Sequence, residues 1–153
     1  MKLYQAETLA KNLMKEHDLD SWNFVFNNRI FTDVGRCKYS SKTLSLSKPL
    51  TKINDIEFVK NTMLHEIAHA LCGRGTGHSK IWKTKCLELG IKPERLIKIN
   101  KIKMPKPKYV IKCPNCHNQT PRFRKMGKEL ACRLCCKKYN HGKYDERFKL
   151  MYI

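Results

Sequence analysis

The segment TMLHEIAHALCGRGTGHSKIW, residues 62–82, places three histidines and one glutamate in an otherwise apolar stretch. His65 and His69 are four residues apart, so on a helix both imidazoles project from one face and Glu66 lies beside that face. Two imidazoles at this spacing can bind one Zn²⁺, which lowers the pKa of a coordinated water toward neutrality. Glu66 can then take the proton of that water and later deliver it to the leaving nitrogen of an amide. The pattern predicts a zinc-dependent hydrolytic centre with Glu66 as its general base.

A third ligand is predicted in the segment that follows this helix. The stretch GRGTG, residues 73–77, lets the chain reverse before His78. Three protein ligands with one open position are typical of a catalytic zinc site. The alternative interpretation is that the histidines are surface residues or are satisfied within the core. A buried cluster of ionisable groups on an apolar helix is unfavourable unless it binds something, so we favour the metal site.

Four of the eight cysteines form a second pattern. Cys113 and Cys116 make one CxxC pair, and Cys132 and Cys135 make another after fifteen intervening residues. Four thiolates in two such pairs close a tetrahedral zinc site with no open position, so this zinc is predicted to be structural and to drive local folding. Cys136 adjoins Cys135 and can in principle replace it, although the spacing favours Cys135. The paired motifs also indicate a metal site in a reducing compartment, not disulfides.

The positive charge is concentrated in the same C-terminal part of the chain. The protein has 32 Lys and Arg against 13 Asp and Glu, a net charge of +19, and residues 101–153 alone hold 15 basic and 3 acidic residues. A compact basic module attracts polyanions, and nucleic acid is the first expectation. The alternative interpretation is that the lysines only keep the protein soluble.

A nucleic-acid contact is predicted between the two cysteine pairs, where Phe123 is flanked by Arg122, Arg124 and Lys125. An aromatic face among cations suits stacking on an unpaired base and capture of its phosphates. The expected partner is therefore DNA, with single-stranded DNA as one form of it. The competing interpretation is a solvated hairpin tip whose Phe123 packs back on the cysteine module.

Local patterns predict the elements that position these residues. Apolar residues at helical spacing indicate an N-terminal helix at 2–17. Asn54 is predicted to cap the histidine-bearing helix, with Glu57 completing a capping box. Three short strand patterns in close succession indicate a small antiparallel sheet or meander. The remaining predictions are strands at 22–27, 34–39 and 43–47, helices at 54–72, 78–89 and 93–100, and an extended linker at 101–109.

Two apolar stripes are predicted to face the core. They comprise Ile56, Val59, Met63, Ile67 and Ala70 on the histidine-bearing helix, and Ile81, Trp82, Cys86 and Leu89 on the next one. The predicted fold class is α+β, with a helical core that carries the histidine site, a small antiparallel sheet and a C-terminal four-Cys zinc ribbon. The predicted domains are residues 1–104 and residues 105–153.

The order of these motifs resembles the SprT-like domain family, which includes Spartan-like proteases. The resemblance extends over about residues 4–140 and implies a zincin-type fold and a zinc-dependent peptidase. By the family pattern, His65, His69 and His78 would bind the catalytic zinc and Glu66 would be the base. Spartan-like members further imply DNA-stimulated cleavage of proteins crosslinked to DNA. The resemblance rests on Trp22–Asn27, Gly35–Cys37, LSLS at 44–47, HEIAH at 65–69, GHSKIW at 77–82, and the CPNC and CRLC pairs.

The leading hypothesis is a monomeric metallopeptidase that cleaves DNA-bound proteins and carries one catalytic and one structural Zn²⁺. The main alternative is a nucleic-acid-binding, transcription-associated zinc protein without protease activity. A weaker alternative is a zinc hydrolase with a small-molecule substrate. The chain start lacks a secretory signal and no run of eighteen apolar residues exists. We therefore expect no membrane association, and a location in the cytoplasm, nucleoid or nucleus.

Overall fold

The computed structural model describes residues 1–28, 34–94 and 102–153. It combines helices with two small sheets, which confirms the predicted α+β class. The chain forms two compact units, Met1–Pro105 and Lys106–Ile153. Within the described ranges, no helix is both long and apolar enough to cross a membrane.

The helices described in the first unit largely follow the predicted periodicity. The N-terminal and histidine-bearing helices confirm their predictions, whereas the short helix before the latter was not predicted. The helix after the histidine-bearing one begins two residues later than predicted, so His78 lies in the preceding turn. The predicted helix at 93–100 falls almost entirely outside the described residues. These helices are α1 Leu3–Glu16, α2 Lys48–Ile53, α3 Ile56–Cys72 and α4 Lys80–Glu88.

The predicted capping residue of α3 is wrong. Asp55 caps this helix, because its carboxylate accepts the Phe58 N–H at 2.9 Å. Asn54 instead ends α2, and its side-chain amide donates to the Leu50 carbonyl at 2.9 Å. The Asn54 side chain also accepts the Lys103 N–H at 2.8 Å. Asn54 is therefore held by a partner 49 residues away in the chain, a contact that a local capping pattern does not specify.

The strands of the first unit form a mixed sheet, so the predicted antiparallel sheet or meander is wrong. The sheet order is β1-β3-β2, in which β3 pairs parallel with β1 and antiparallel with β2. Four of the five residues of β3 are buried, which suits a central strand. Alternation of apolar residues marks the inward faces of strands but not which strand lies next to which. The strands are β1 Asn23–Asn27, β2 Gly35–Lys38 and β3 Thr43–Ser47.

The core of the first unit is centred on α3. Val59, Met63 and Ile67 are fully buried there, as predicted, and α1 and β3 both pack against this helix. Two predicted core positions are wrong, because Ile56 is 60% exposed and Ile81 is 64% exposed. Both lie in the first turn of their helices, and periodicity alone does not show where the neighbouring element ends.

The second unit is a small antiparallel sheet with one short helix. The sheet order is β5-β4-β6. Its buried cluster consists of four cysteines and one aromatic residue, Phe148, so the unit has little apolar core of its own. Its elements are β4 Tyr109–Lys112, β5 Gln119–Arg122, α5 Arg133–Tyr139 and β6 Met151–Tyr152.

Two candidate metal centres

Three predicted zinc ligands converge in the first unit. Helix α3 places His65 and His69 one turn apart on the same face, and the turn between α3 and α4 brings His78 to them. The Nε2 atom of His78 lies 3.3 Å from Nε2 of His69 and 3.4 Å from Nε2 of His65. The candidate ligand atoms of all three lie within 4.8 Å of one another.

The turn that delivers His78 depends on glycine. Gly73 ends α3 with a φ of +82°, and Gly77 directly before His78 has a φ of +50°. Residues with a Cβ rarely adopt such angles, so these positions suit glycine. The Thr76 hydroxyl donates to the Gly73 carbonyl at 2.8 Å and holds the turn closed. The flexible stretch named from the sequence is thus a defined reversal.

The spacing of the three imidazoles fits a tetrahedral zinc ion. Zn–N bonds of about 2.0–2.1 Å at the tetrahedral angle place ligand nitrogens about 3.4 Å apart. The observed Nε2 separations are 3.3 and 3.4 Å. Hydrogen bonding does not account for both contacts at once, because Nε2 of a neutral His78 carries either one hydrogen or one lone pair.

The protonation states also suit metal binding. Burial lowers the pKa of His65 to about 4, and the neighbouring imidazoles add to the effect. Burial likewise lowers the pKa of His69 to about 4, with a further contribution from His78. At neutral pH these two rings are therefore uncharged, and a neutral imidazole is the form that ligates a metal.

Trp82 of α4 lies against all three imidazoles. Its ring centroid is 4.7 Å from that of His65, 5.2 Å from that of His69 and 4.5 Å from that of His78. The indole is fully buried. The sequence predicts Trp82 on the core side of α4, which the structure confirms, but not its contact with the histidines. Helical periodicity does not reveal which residues the neighbouring helix presents.

Glu66 is buried and lies against the first residue of β2. Its exposed fraction is 7%. A Cβ built on Gly35 would lie 2.8 Å from Cγ and Oε1 of Glu66, and equally close to Cγ2 of Thr62. Gly35 therefore leaves the space that the Glu66 carboxylate occupies. Sequence reasoning missed this role of Gly35, since no local pattern indicates that a strand residue faces a glutamate 31 positions later.

Tyr39 ties the sheet to the end of the histidine-bearing helix. Its hydroxyl donates to the His69 carbonyl at 2.8 Å. Burial raises the pKa of Tyr39 to about 12, so the hydroxyl stays a donor at neutral pH. Burial, together with the charge of Glu66, raises the pKa of Cys37 to about 12. Cys37 is accordingly a neutral thiol beside this carboxylate.

The four predicted cysteine ligands converge in the second unit. The Sγ atoms of Cys113 and Cys135 are 3.7 Å apart, and those of Cys116 and Cys132 are 3.6 Å apart. Four thiolates around zinc, with Zn–S bonds of about 2.3 Å, are expected to lie about 3.8 Å apart. These separations are far too long for disulfides. The cluster comprises these four residues, and Cys136 is not a member.

The surroundings of the cysteine cluster favour a thiolate at Cys113, whereas at Cys116 the Asn118 N–H is outweighed by burial and the neighbouring thiols, which raise the pKa to about 12. Burial alone would raise the pKa of Cys113, but the backbone N–H groups of Cys116 and Asn115 and the neighbouring thiols lower it to about 7. The Asn115 side-chain amide donates to Sγ of Cys135 at 3.4 Å. Such outer contacts orient ligands and are typical of structural zinc sites.

The residues predicted to contact nucleic acid lie where β5 ends. Arg122 is the last residue of that strand, and Phe123 is half-buried. Arg124 and Lys125 are exposed. Their contact with nucleic acid stays a prediction.

A second aromatic and cationic surface in the same unit was not predicted. It borders an open cavity of about 450 Å³ lined by Pro114, Asn115, Tyr139, Arg147 and Phe148. The Tyr139 ring is 52% exposed and lies 5.6 Å from the ring of Phe148. The Arg147 guanidinium lies 5.2 Å from the Phe148 centroid and also pairs with Asp145. Pro114 and Asn115 lie 24 to 34 positions before the other three residues, so no short sequence window groups them.

Comparison with known proteins identifies the first unit. The sequence model of the SprT-like family matches residues 4–101, which include the three histidines and Glu66. This match confirms the family resemblance drawn from the motifs. Neither a curated protein nor a solved structure gives a significant match to the chain.

Proposed function

Since the chain belongs to the SprT-like family, a family of metallopeptidases, we propose that it is a zinc-dependent peptidase with a zincin-like catalytic unit. His65, His69 and His78 would hold the zinc, and Glu66 would be the general base. The observation that carries the proposal is the spacing of the three Nε2 atoms, 3.3 and 3.4 Å, which matches tetrahedral zinc. A histidine set of this kind supplies three ligands and leaves the fourth position for substrate chemistry.

Each residue of the centre has a separate task in this proposal. When bound, zinc supplies Lewis-acid chemistry, which makes water nucleophilic near neutral pH and polarises a peptide carbonyl. The Glu66 carboxylate takes a proton from the attacking water and returns it to the leaving nitrogen. Gly35 keeps the space for that carboxylate open. Tyr39 fixes the backbone of His69 through its hydrogen bond.

We further propose that the substrates are proteins bound or crosslinked to DNA. The support is the charge of the second unit, in which residues 106–153 hold 13 basic and 3 acidic residues. A basic module in the same chain as a peptidase would raise the local concentration of the enzyme where a polyanion holds its substrate. Cleavage would then be favoured on DNA and suppressed elsewhere.

The test compares the wild type with Glu66→Gln on a DNA-bound protein substrate. We expect the variant to keep two zinc ions per chain and to lose activity by about 10²–10⁴, the contribution of a general base. Glu57→Gln is the matched control, because Glu57 is an exposed carboxylate in the first turn of the same helix. It should retain full activity.

Three outcomes separate the hypotheses. Equal cleavage by the wild type and Glu66→Gln would contradict the assigned base. Cleavage that does not depend on DNA would leave the peptidase and remove the proposed substrate class. If the wild type binds zinc and DNA but cleaves nothing, the chain is better described as a nucleic-acid-binding zinc protein.

A further inference from the structure

We propose that Trp82 is a positioning residue for the histidine centre. Its indole would be a rigid packing surface that holds His65, His69 and His78 in the arrangement that a single metal ion requires. The inference rests on the proposed function only in taking the three imidazoles as metal ligands, and it does not depend on peptidase activity.

The three ligands differ in how well the backbone holds them. His65 and His69 share α3, so one helix sets their relative position. His78 lies in a turn before α4, where no helical geometry sets the direction of its ring. Trp82 follows in the first turn of α4 and contacts His78 with a centroid distance of 4.5 Å and an interplanar angle of 87°. Because Trp82 contacts all three rings, it fixes the position of the His78 ring relative to those of His65 and His69.

The ring geometry at Trp82 restricts rotation of the two helix imidazoles, His65 and His69. Trp82 lies nearly parallel to His69, at 23°, and edge-on to His65, at 65°. Rotation of either imidazole about its Cβ–Cγ bond would drive ring atoms into the indole or open a gap in the packing. Bound metal would give the imidazoles positive charge, which the negative face of the stacked indole favours.

The size of the indole also argues for a role at this centre. Trp82 is fully buried, and its Nε1–H has no hydrogen-bond partner among the described residues. A buried, unpaired N–H is unfavourable, and phenylalanine at this position would avoid it. Phenylalanine is smaller, however, and would not reach all three rings equally well. Contacts with the three histidines, added to those with the apolar core, offset the unpaired N–H.

The first experiment replaces Trp82 by Phe and by Leu and follows Co²⁺ binding by visible absorption. The spectrum of His69→Ala, which keeps only the cysteine site, is subtracted. Tetrahedral Co²⁺ absorbs strongly in the visible range and six-coordinate Co²⁺ weakly, so the difference spectrum reports the geometry of the histidine site. We expect Trp82→Leu to weaken Co²⁺ binding there about 10- to 100-fold and to reduce the tetrahedral absorption. Trp82→Phe, which keeps an aromatic ring, should restore part of both.

Trp22 provides the matched control and a second measurement. It is the other of the two tryptophans, and its ring contacts Tyr39 and not the histidines, with centroids 6.0 Å apart. Trp22→Phe should leave the Co²⁺ spectrum unchanged. In that variant all tryptophan fluorescence comes from Trp82, and we expect Co²⁺ at the histidine site to quench it strongly. This measurement leaves Trp82 in place, so it remains decisive even if Trp82→Leu does not fold.

The outcomes distinguish this inference from the proposed function. Unchanged Co²⁺ affinity and spectrum in a folded Trp82→Leu would overturn the positioning role while leaving the peptidase proposal intact. Absence of quenching in Trp22→Phe, with Co²⁺ bound to the histidines, would overturn it as well. A wild type that binds Co²⁺ with the expected spectrum but cleaves no protein would contradict the peptidase proposal and leave the role of Trp82 standing.

Discussion

The histidine and cysteine centres both hold their candidate ligands at separations that suit zinc. They differ in whether the ligands are part of the buried core of their unit. The histidine centre lies in a unit whose core cluster, among the described residues, has 15 buried members, none of which is one of the three histidines. The cysteine centre lies in a unit whose buried cluster has five residues, three of which are the ligands Cys113, Cys132 and Cys135. One centre is added to an apolar core, whereas the other largely constitutes the core.

This difference indicates what a metal contributes to each unit. The first unit buries enough apolar surface to fold around its ligands, so a metal there is available for chemistry. The second unit is too small for an independent core, so a metal there supplies folding free energy. The same metal ion can thus take part in a reaction in one unit of a chain and stabilise the fold of the other.

The largest expected effect separates the two centres by removing one ligand from each. Cys132→Ser should unfold the second unit, because zinc binding of about 10–16 kcal/mol in small zinc modules is folding free energy. His69→Ala should remove the other zinc and the activity, while both units stay folded. Zinc content per chain and amide signals assigned to each unit in NMR spectra would check both results.

Cys136→Ser is the control for this comparison. Cys136 is buried beside the cluster but is not one of its four members. We expect this variant to keep two zinc ions. Loss of one zinc from Cys136→Ser, with retention in a Cys135→Ser protein, would show that the ligand set is wrongly assigned.

The next effect concerns the space that Gly35 leaves for Glu66, the proposed general base. Gly35→Ala should displace the Glu66 carboxylate, because the new Cβ would meet its Cγ and Oε1 at 2.8 Å. We expect about a hundredfold loss of turnover from a shift of this size, with two zinc ions retained. Gly127→Ala is the matched control, since a Cβ there meets nothing within 4 Å. Equal activity of the two variants would contradict the assigned role of Gly35.

A smaller effect tests the proposed contact with single-stranded DNA and which aromatic surface of the second unit would make it. Stacking contributes about 1–3 kcal/mol per base, so either Phe123→Ala or Tyr139→Ala should weaken single-strand binding by that amount. The prediction from the sequence is Phe123. A larger loss of single-strand affinity in Tyr139→Ala than in Phe123→Ala would indicate that the base stacks at the cavity lined by Tyr139. Tyr4→Ala, at an exposed aromatic residue of the first unit, is the control. Fluorescence anisotropy with matched single-stranded and duplex oligonucleotides would measure these affinities.

The smallest effect tests the hydrogen bond between Tyr39 and the end of α3. Tyr39→Phe removes the donor to the His69 carbonyl and should lower the free energy of unfolding by about 0.5–1.5 kcal/mol. Tyr4→Phe, at a ring that is 63% exposed, should change it little. Urea denaturation of the first unit would measure both. The same loss in the two variants would argue against a specific bond.

Much of the candidate chemistry was predictable because its spacing is local. The i, i+4 spacing of His65 and His69 places both on one face of any helix, and the CxxC spacing brings two sulfurs together in any tight turn. The buried stripe of α3 likewise follows from helical periodicity at Val59, Met63 and Ile67. The placement of these residues relative to one another along the backbone does not depend on the rest of the chain.

Other features were decided only by tertiary contacts. The parallel pairing of β1 with β3, the contact of Gly35 with Glu66 and the position of Trp82 under the imidazoles all join segments that lie apart in the sequence. Ile56 continues the helical stripe of α3 but is 60% exposed, which periodicity does not predict. The sequence alone therefore determined the ligand types and the helix that presents two of them, because backbone geometry is local. Only the tertiary structure decided what surrounds the ligands, because packing partners are chosen by shape and burial across the whole unit.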